Sequence, residues 1–158
     1  MSEAMVNPYS GQFIPPDALQ EEFDRRGATQ LFDAIIRADH QKNHSDREYD
    51  ADYVLKAFGL YVQMGGQYFQ QGNVVIVLRE SDGVLEFHCL NGGDGRDLTG
   101  AINAMLDKYR TSFHRAVTYY DNPRINELIR YSKFPAYWER VDMGVDATYR
   151  MSFDMRSS

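Results

Sequence analysis

The sequence of 158 residues predicts an α/β domain: a mixed, mostly antiparallel twisted sheet flanked by helices, with a further helical elaboration on its N-terminal side. Three observations carry that prediction. Apolar residues before about residue 62 recur at three-and-four spacing, the period of a helix face. The run Val74, Val75, Ile76, Val77, Leu78 is continuous and β-branched, as expected of a strand covered on both faces. From Val84 onward, a strand, a glycine-rich loop, a helix, a strand, a helix and an aromatic hairpin follow without interruption.

Taken in order, residues 1–16 contain Pro8, Gly11, Pro15 and Pro16 without periodicity and read as an extended arm. Met5, Tyr9, Phe13 and Ile14 give that arm apolar groups with which to dock on a protein partner or on a second copy of the chain. Residues 17–158 then form one domain, with its core over about residues 65–155. Asp17 caps a short helix to about Arg26, and Thr29 caps a second with Leu31, Phe32, Ile35 and Ile36 on one face. A polar linker is expected over residues 40–50, followed by a third helix with Tyr53, Val54, Ala57, Phe58 and Tyr61 on one stripe. Strands are expected over residues 68–70 and 73–80, turning at Ser81-Asp82-Gly83 into a strand over residues 84–90. In this last strand Leu85, Phe87 and Cys89 alternate with Glu86 and His88, so one face is buried and the other carries ionisable groups.

The loop over residues 91–96 leads to a helix over residues 98–109, with Thr99 or Asp97 as its cap and Leu98, Ile102, Met105, Leu106 and Tyr109 on its face. A strand over residues 113–120 follows. Asn122 and Pro123 suit the cap and first turn of another helix with Ile125, Leu128, Ile129 and Ser132 inward. Strands over residues 136–141 and 147–155 close the chain as a hairpin about Met143-Gly144.

Composition narrows the function. Net charge is −6, with many acids gathered before residue 53, whereas a nucleic-acid surface needs clustered Lys and Arg to neutralise phosphates. Arg110, Arg115, Arg124, Arg130 and Lys133 form only a local basic group, and such a group is more often a solvated face. Cys89 is the sole cysteine, which excludes an intrachain disulfide or a cysteine-rich zinc site and suits a reducing compartment. Cys89 falls on the aliphatic side of its strand, so it reads as a packed thiol rather than a nucleophile. His40 and His44 stand one helical turn apart with no third ligand at a telling spacing, so no metal is expected. Residues 1–7 show no basic stretch followed by an apolar run, and the longest aliphatic run is far too short to span a bilayer. A cytoplasmic location is the expectation.

A glycine-rich turn that opens a helix directly after a strand can gather backbone N–H groups around an anion. Here Gly92, Gly93 and Gly95 precede Arg96, and Tyr119-Tyr120-Asp121-Asn122-Pro123 leads into a helix ending by Phe134. On these residues and the element order over residues 65–155, the chain resembles the GNAT (Gcn5-related N-acetyltransferase) superfamily, in particular short divergent members encoded by tailed bacteriophages. The family loop runs Arg or Gln, two residues, Gly, one residue, then Gly or Ala. In this chain Thr99 takes the first Gly position, and Gly100-Ala101 comes one place late. The family's acidic tyrosine falls on Ile129, and Tyr131, two residues on, is rotated by roughly 200° around an α-helix.

The resemblance implies acetyl-coenzyme A in a gap where the neighbouring strands at Val84 and Phe113 part midway. Leu90, Gly92, Gly93, Gly95, Arg96 and Asn122 would hold the cofactor, with Glu86 or His88 as the base and Tyr120 as a substitute acid. Packing is the commoner reading of an aromatic pair such as Tyr119-Tyr120, and solvent exposure or pairing with Arg115 the commoner one of Glu86 and His88. Two functions therefore stand side by side. One is a catalytically degenerate acetyltransferase-fold module acting as a virion or assembly component. The other is an acetyl-coenzyme A-dependent N-acetyltransferase that modifies a protein or small-molecule amine.

Overall fold

The computed structural model describes residues 35–41, 59–60, 64, 67–142 and 148–156. The arm, the helix expected over residues 17–26, the stripe from Tyr53 to Phe58 and the turn at Met143-Gly144 lie outside the described residues. Within them, residues 35–41 are helical (α1) and bury Ile35, Ile36, Asp39 and His40. A linker expected from His40 therefore begins later, because the helix continues through Gln41.

The core is a mixed α/β arrangement built on a six-stranded, mostly antiparallel open sheet. Its strands are β1 (Gln67–Gln71), β2 (Val74–Ser81), β3 (Val84–Asn91), β4 (Arg115–Tyr120), β5 (Ala136–Arg140) and β6 (Tyr149–Asp154), in spatial order β1-β2-β3-β4-β6-β5. Only β3 and β4 run parallel, joined by the crossover helix α2 (Gly95–Tyr109). Asp82 (φ 53°) and Gly83 (φ 79°) are both left-handed, as a two-residue type I′ turn between β2 and β3 requires.

Strand β2 is sealed on both faces, as its unbroken aliphatic run predicts. Val74, Ile76 and Leu78 face α2 and join Leu85, Phe87, Ala116, Met151 and Phe153 in the main core, while Val75 and Val77 are buried on the opposite face. Helix α2 lays Leu98, Ala101, Ile102, Met105 and Leu106 across that core. Burying each Leu or Ile side chain is worth about 1.5–3 kcal/mol. Phe87 and Phe153 meet at 5.9 Å between ring centroids.

Two expected elements differ in detail. Helix α2 starts at Gly95 rather than Leu98 because Asp94 is its cap: the Asp94 side chain accepts from the Asp97 N–H at 2.8 Å, and the Asp97 carboxylate accepts from the Asp94 N–H at 3.0 Å. Thr99 instead donates its hydroxyl back to the Gly95 carbonyl. The segment Pro123–Tyr131 is a 3-10 helix (η1), with Asn122 capping it as predicted by accepting from the Arg124 N–H at 3.0 Å. The tighter winding brings Ile125 and Leu128, three residues apart, onto one row against the rim of the core, so no residue of η1 is fully buried. No helix among the described residues is long and apolar enough to cross a membrane.

Candidate functional site

The site follows from one irregularity of the sheet. Strands β3 and β4 pair only at Leu85↔Ala116, Glu86↔Val117 and Phe87↔Thr118. Beyond Phe87 the ladder stops, leaving residues 88–91 of β3 and the aromatic end of β4 to diverge. A cleft of about 430 Å³ opens above the point of divergence, lined by Asn91, Gly95, Leu98, Asn122, Arg124, Ile125 and Leu128.

The loop at the mouth of this cleft is held by its own side chains. Gly93 donates its N–H to Asn91 Oδ1 at 2.9 Å, and Asn91 Nδ2 donates to the Asp94 carbonyl at 3.4 Å. Gly92 donates its N–H to the Asn73 carbonyl at 2.7 Å, extending the β2–β3 ladder by one residue. Strand geometry therefore turns the neighbouring Asn91 N–H towards the diverging side, where Asp39 Oδ1 of α1 takes it at 3.1 Å. The buried Asp39 carboxylate thus occupies a β3 amide that faces the gap.

Two of the three loop glycines serve packing. A Cβ at Gly92 would lie 3.1 Å from the Cβ of Ala38 and 3.1 Å from the Asn73 carbonyl oxygen. One at Gly93 would lie 2.9 Å from the Cβ of Asp97, inside the capping box. Gly95 has open space around it and lines the cleft. Arg96 is exposed beside Asp94, and Leu90 is buried opposite Val75 on β2. The amides that a helix N-terminus offers to anions are here shared with two carboxylates. The Asp97 N–H, more than any other group, holds the Asp94 carboxyl below the ordinary carboxylate range, so it stays ionised at neutral pH.

The proposed chemical groups fall at different heights on the seam. Glu86 sits in the paired segment, on the face away from α2, and its carboxylate takes Arg79 Nε at 2.6 Å rather than Arg115. His88 lies one residue past the last β3–β4 pair, opposite Val77, on the same face as Glu86. Tyr120 ends β4 on the α2 face, where its hydroxyl donates a short hydrogen bond to Asn126 Oδ1 and its ring stacks on Tyr149 at 5.6 Å. Burial, and secondarily Tyr149, push the Tyr120 phenol above its ordinary range. Tyr131 is exposed on η1, away from the cleft.

The half-buried Cys89 packs against the core, and burial, reinforced by Asp39, pushes its thiol far above the thiolate range, which fits a packed thiol rather than a nucleophile. Among the described residues no group of three His, Cys, Asp or Glu is placed to hold a metal ion, and His44 lies outside them.

Sequence reasoning missed two residues of the site. Arg124 lines the cleft with no carboxylate partner among the described residues, and its position just after Asn122-Pro123 was the available signal. Asp39 carried no signal, because its contact with Asn91 spans 52 residues. No family model matches the chain, and comparison with curated proteins and with solved structures finds no significant match.

Proposed function

We propose that the chain is a GNAT-type module of bacteriophage origin that has lost catalysis and acts as a virion or assembly component. A parallel strand pair joined by a crossover helix and parting after three paired residues supports the fold half of this reading, since that gap is where the family resemblance puts acetyl-coenzyme A. The observation that carries the loss of catalysis is the commitment of the reactive groups elsewhere. Glu86 is held by Arg79, the Tyr120 hydroxyl by Asn126, the gap-facing Asn91 amide by Asp39, and the first turn of α2 by Asp94 and Asp97. A pyrophosphate would meet two carboxylates at the loop that should cradle it.

The second reading, an acetyl-coenzyme A-dependent N-acetyltransferase, is favoured by the open cleft and by Arg124 beside it. In that reading His88, one residue past the last β3–β4 pair at the vertex of the gap, or Glu86 is the base. Calorimetry with acetyl-coenzyme A, paired with transfer of a radiolabelled acetyl group to polyamine and peptide acceptors, separates the two. The degenerate module gives no transfer above the uncatalysed rate. Saturable binding that weakens in Arg124→Gln, together with turnover that is lost in His88→Gln or Glu86→Gln, would replace it with the enzyme. Assembly is tested by sedimentation of the full chain and of a chain lacking residues 1–16. A full chain that sediments as a monomer, unchanged by the deletion, removes the support for an assembly role.

A further inference from the structure

On the face of the sheet opposite α2, strands β3, β4 and β6 border a second concavity of about 220 Å³, lined by Asp82, Glu86, Arg115, Val117, Tyr119 and Arg150. It lies across the sheet from the cleft and stands whichever way the cleft is used. Its cations are unevenly employed. Arg79 is spent on Glu86 at 2.6 Å. Arg150 gives one terminal nitrogen to Glu139 at 2.7 Å, yet its Nε, shut from solvent, has no acceptor among the described residues. Arg115 has no carboxylate partner among the described residues, because Asp154, its cross-strand neighbour on the same face, is held by Arg156 at 3.1 Å.

The donors therefore exceed the acceptors along the β4–β6 seam. A guanidinium carries five N–H donors in a planar fork suited to two oxygens, and Tyr119, which lines the same concavity, has a hydroxyl proton to give. Val117 lies between Arg115 and Tyr119 on β4 and supplies an apolar contact between the polar groups. Asp82 and Glu86 share the concavity, so a dianion would be repelled where a single negative charge is tolerated.

We infer that this concavity binds a carboxylate on a short aliphatic stem, with Arg115 as the principal contact and Tyr119 and Arg150 as supporting donors. The same chemistry is offered by a free aliphatic acid and by a Glu side chain of a peptide. The experiment is an amide-resolved NMR titration of the full chain with butyrate, with a capped peptide carrying a single Glu, with the same peptide carrying Gln in its place and with inorganic phosphate. Saturable shifts at Arg115, Val117, Tyr119 and Arg150 with butyrate or the Glu peptide are expected, and whichever binds tighter identifies the source. Arg115→Gln should weaken that binding about tenfold or more, because it removes a charge-assisted pair from an exposed side chain that has no carboxylate partner among the described residues. Arg130→Gln, on the exposed surface of η1, should leave it unchanged. Absence of saturable shifts with both carboxylates, equal binding by Arg115→Gln, or tighter binding of the Gln peptide or phosphate would overturn the assignment.

Discussion

Below Phe87, the seam between β3 and β4 is continuous with the core: Leu85, Phe87 and Ala116 are almost wholly buried, and the ladder is intact. Above Phe87 the same two strands separate, and order comes from polar groups, with Asp39 on Asn91, Asn91 on Gly93, and Asp94 exchanging bonds with Asp97. The lower half gains stability from apolar area removed from water, a term that tolerates little change in volume. The upper half depends more on individual hydrogen bonds, the buried Asp39–Asn91 bond and the exposed capping box of α2 among them, each a smaller term than the packed core as a whole. The lower seam can thus hold the fold while polar contacts of the upper seam change.

The sharpest way to break this contrast is Phe87→Ala. The ring is 1% exposed and sits between β2, β4 and the Phe153 ring, so its loss should cost about 3–5 kcal/mol in chemical denaturation. A loss under 1 kcal/mol would mean that the lower seam is not the rigid half.

Legibility in the sequence divides along the same line. Strand β2, the alternation of β3, the face of α2 and the buried Met151 and Phe153 of the last strand, with Met155 just beyond it, are local apolar patterns, and each appears where the pattern puts it. What stayed hidden depends on partners distant in sequence or on competition among nearby polar groups. Asp97 and Thr99 were each plausible caps for α2, and only the exchange between Asp94 and Asp97 moves the start to Gly95. Gly92 and Gly93 read equally as phosphate-cradling or packing glycines until Ala38 and Asp97 are seen beside them. The base candidate Glu86 has Arg79 opposite it in the β2–β3 register, which hairpin pairing through Asp82-Gly83 would have revealed.

Gly92→Val probes the junction of the two halves. Even a Cβ there presses on Ala38 and the Asn73 carbonyl, and the two further methyl groups must displace α1, so overpacking should cost about 1–3 kcal/mol. The effect should reach Asp39, whose bond to the Asn91 amide depends on α1 staying in place, and hydrogen exchange at Asn91 reads it directly. Destabilisation without faster exchange at Asn91 would detach α1 from the upper seam.

The smallest expected effect tests whether the upper half is electrostatically sensitive at all. Asp94 is ionised in the folded chain and its carboxyl is held below its ordinary range, chiefly by the Asp97 N–H and then by the Arg96 N–H and the Asp97 side chain. A depressed folded value means that the unfolded chain binds the proton more readily. The contribution to stability is therefore complete above the ordinary carboxylate value of about 4 and is lost as pH falls through the lower folded value. Asp94→Asn keeps a capping oxygen without the titratable charge. The variant should melt slightly below the parent at pH 6, and the two should converge as pH drops towards 3. Asp107 and Asp154, whose carboxyls are also depressed by Lys133 and Arg156 respectively, remain to give both chains a common acid slope. Exchange in the first turn of α2 should follow the difference while exchange in β2 does not. Parallel melting curves at every pH would mean that the cap acts by geometry alone, and that the acidity of the loop matters to an incoming anion without stabilising the fold.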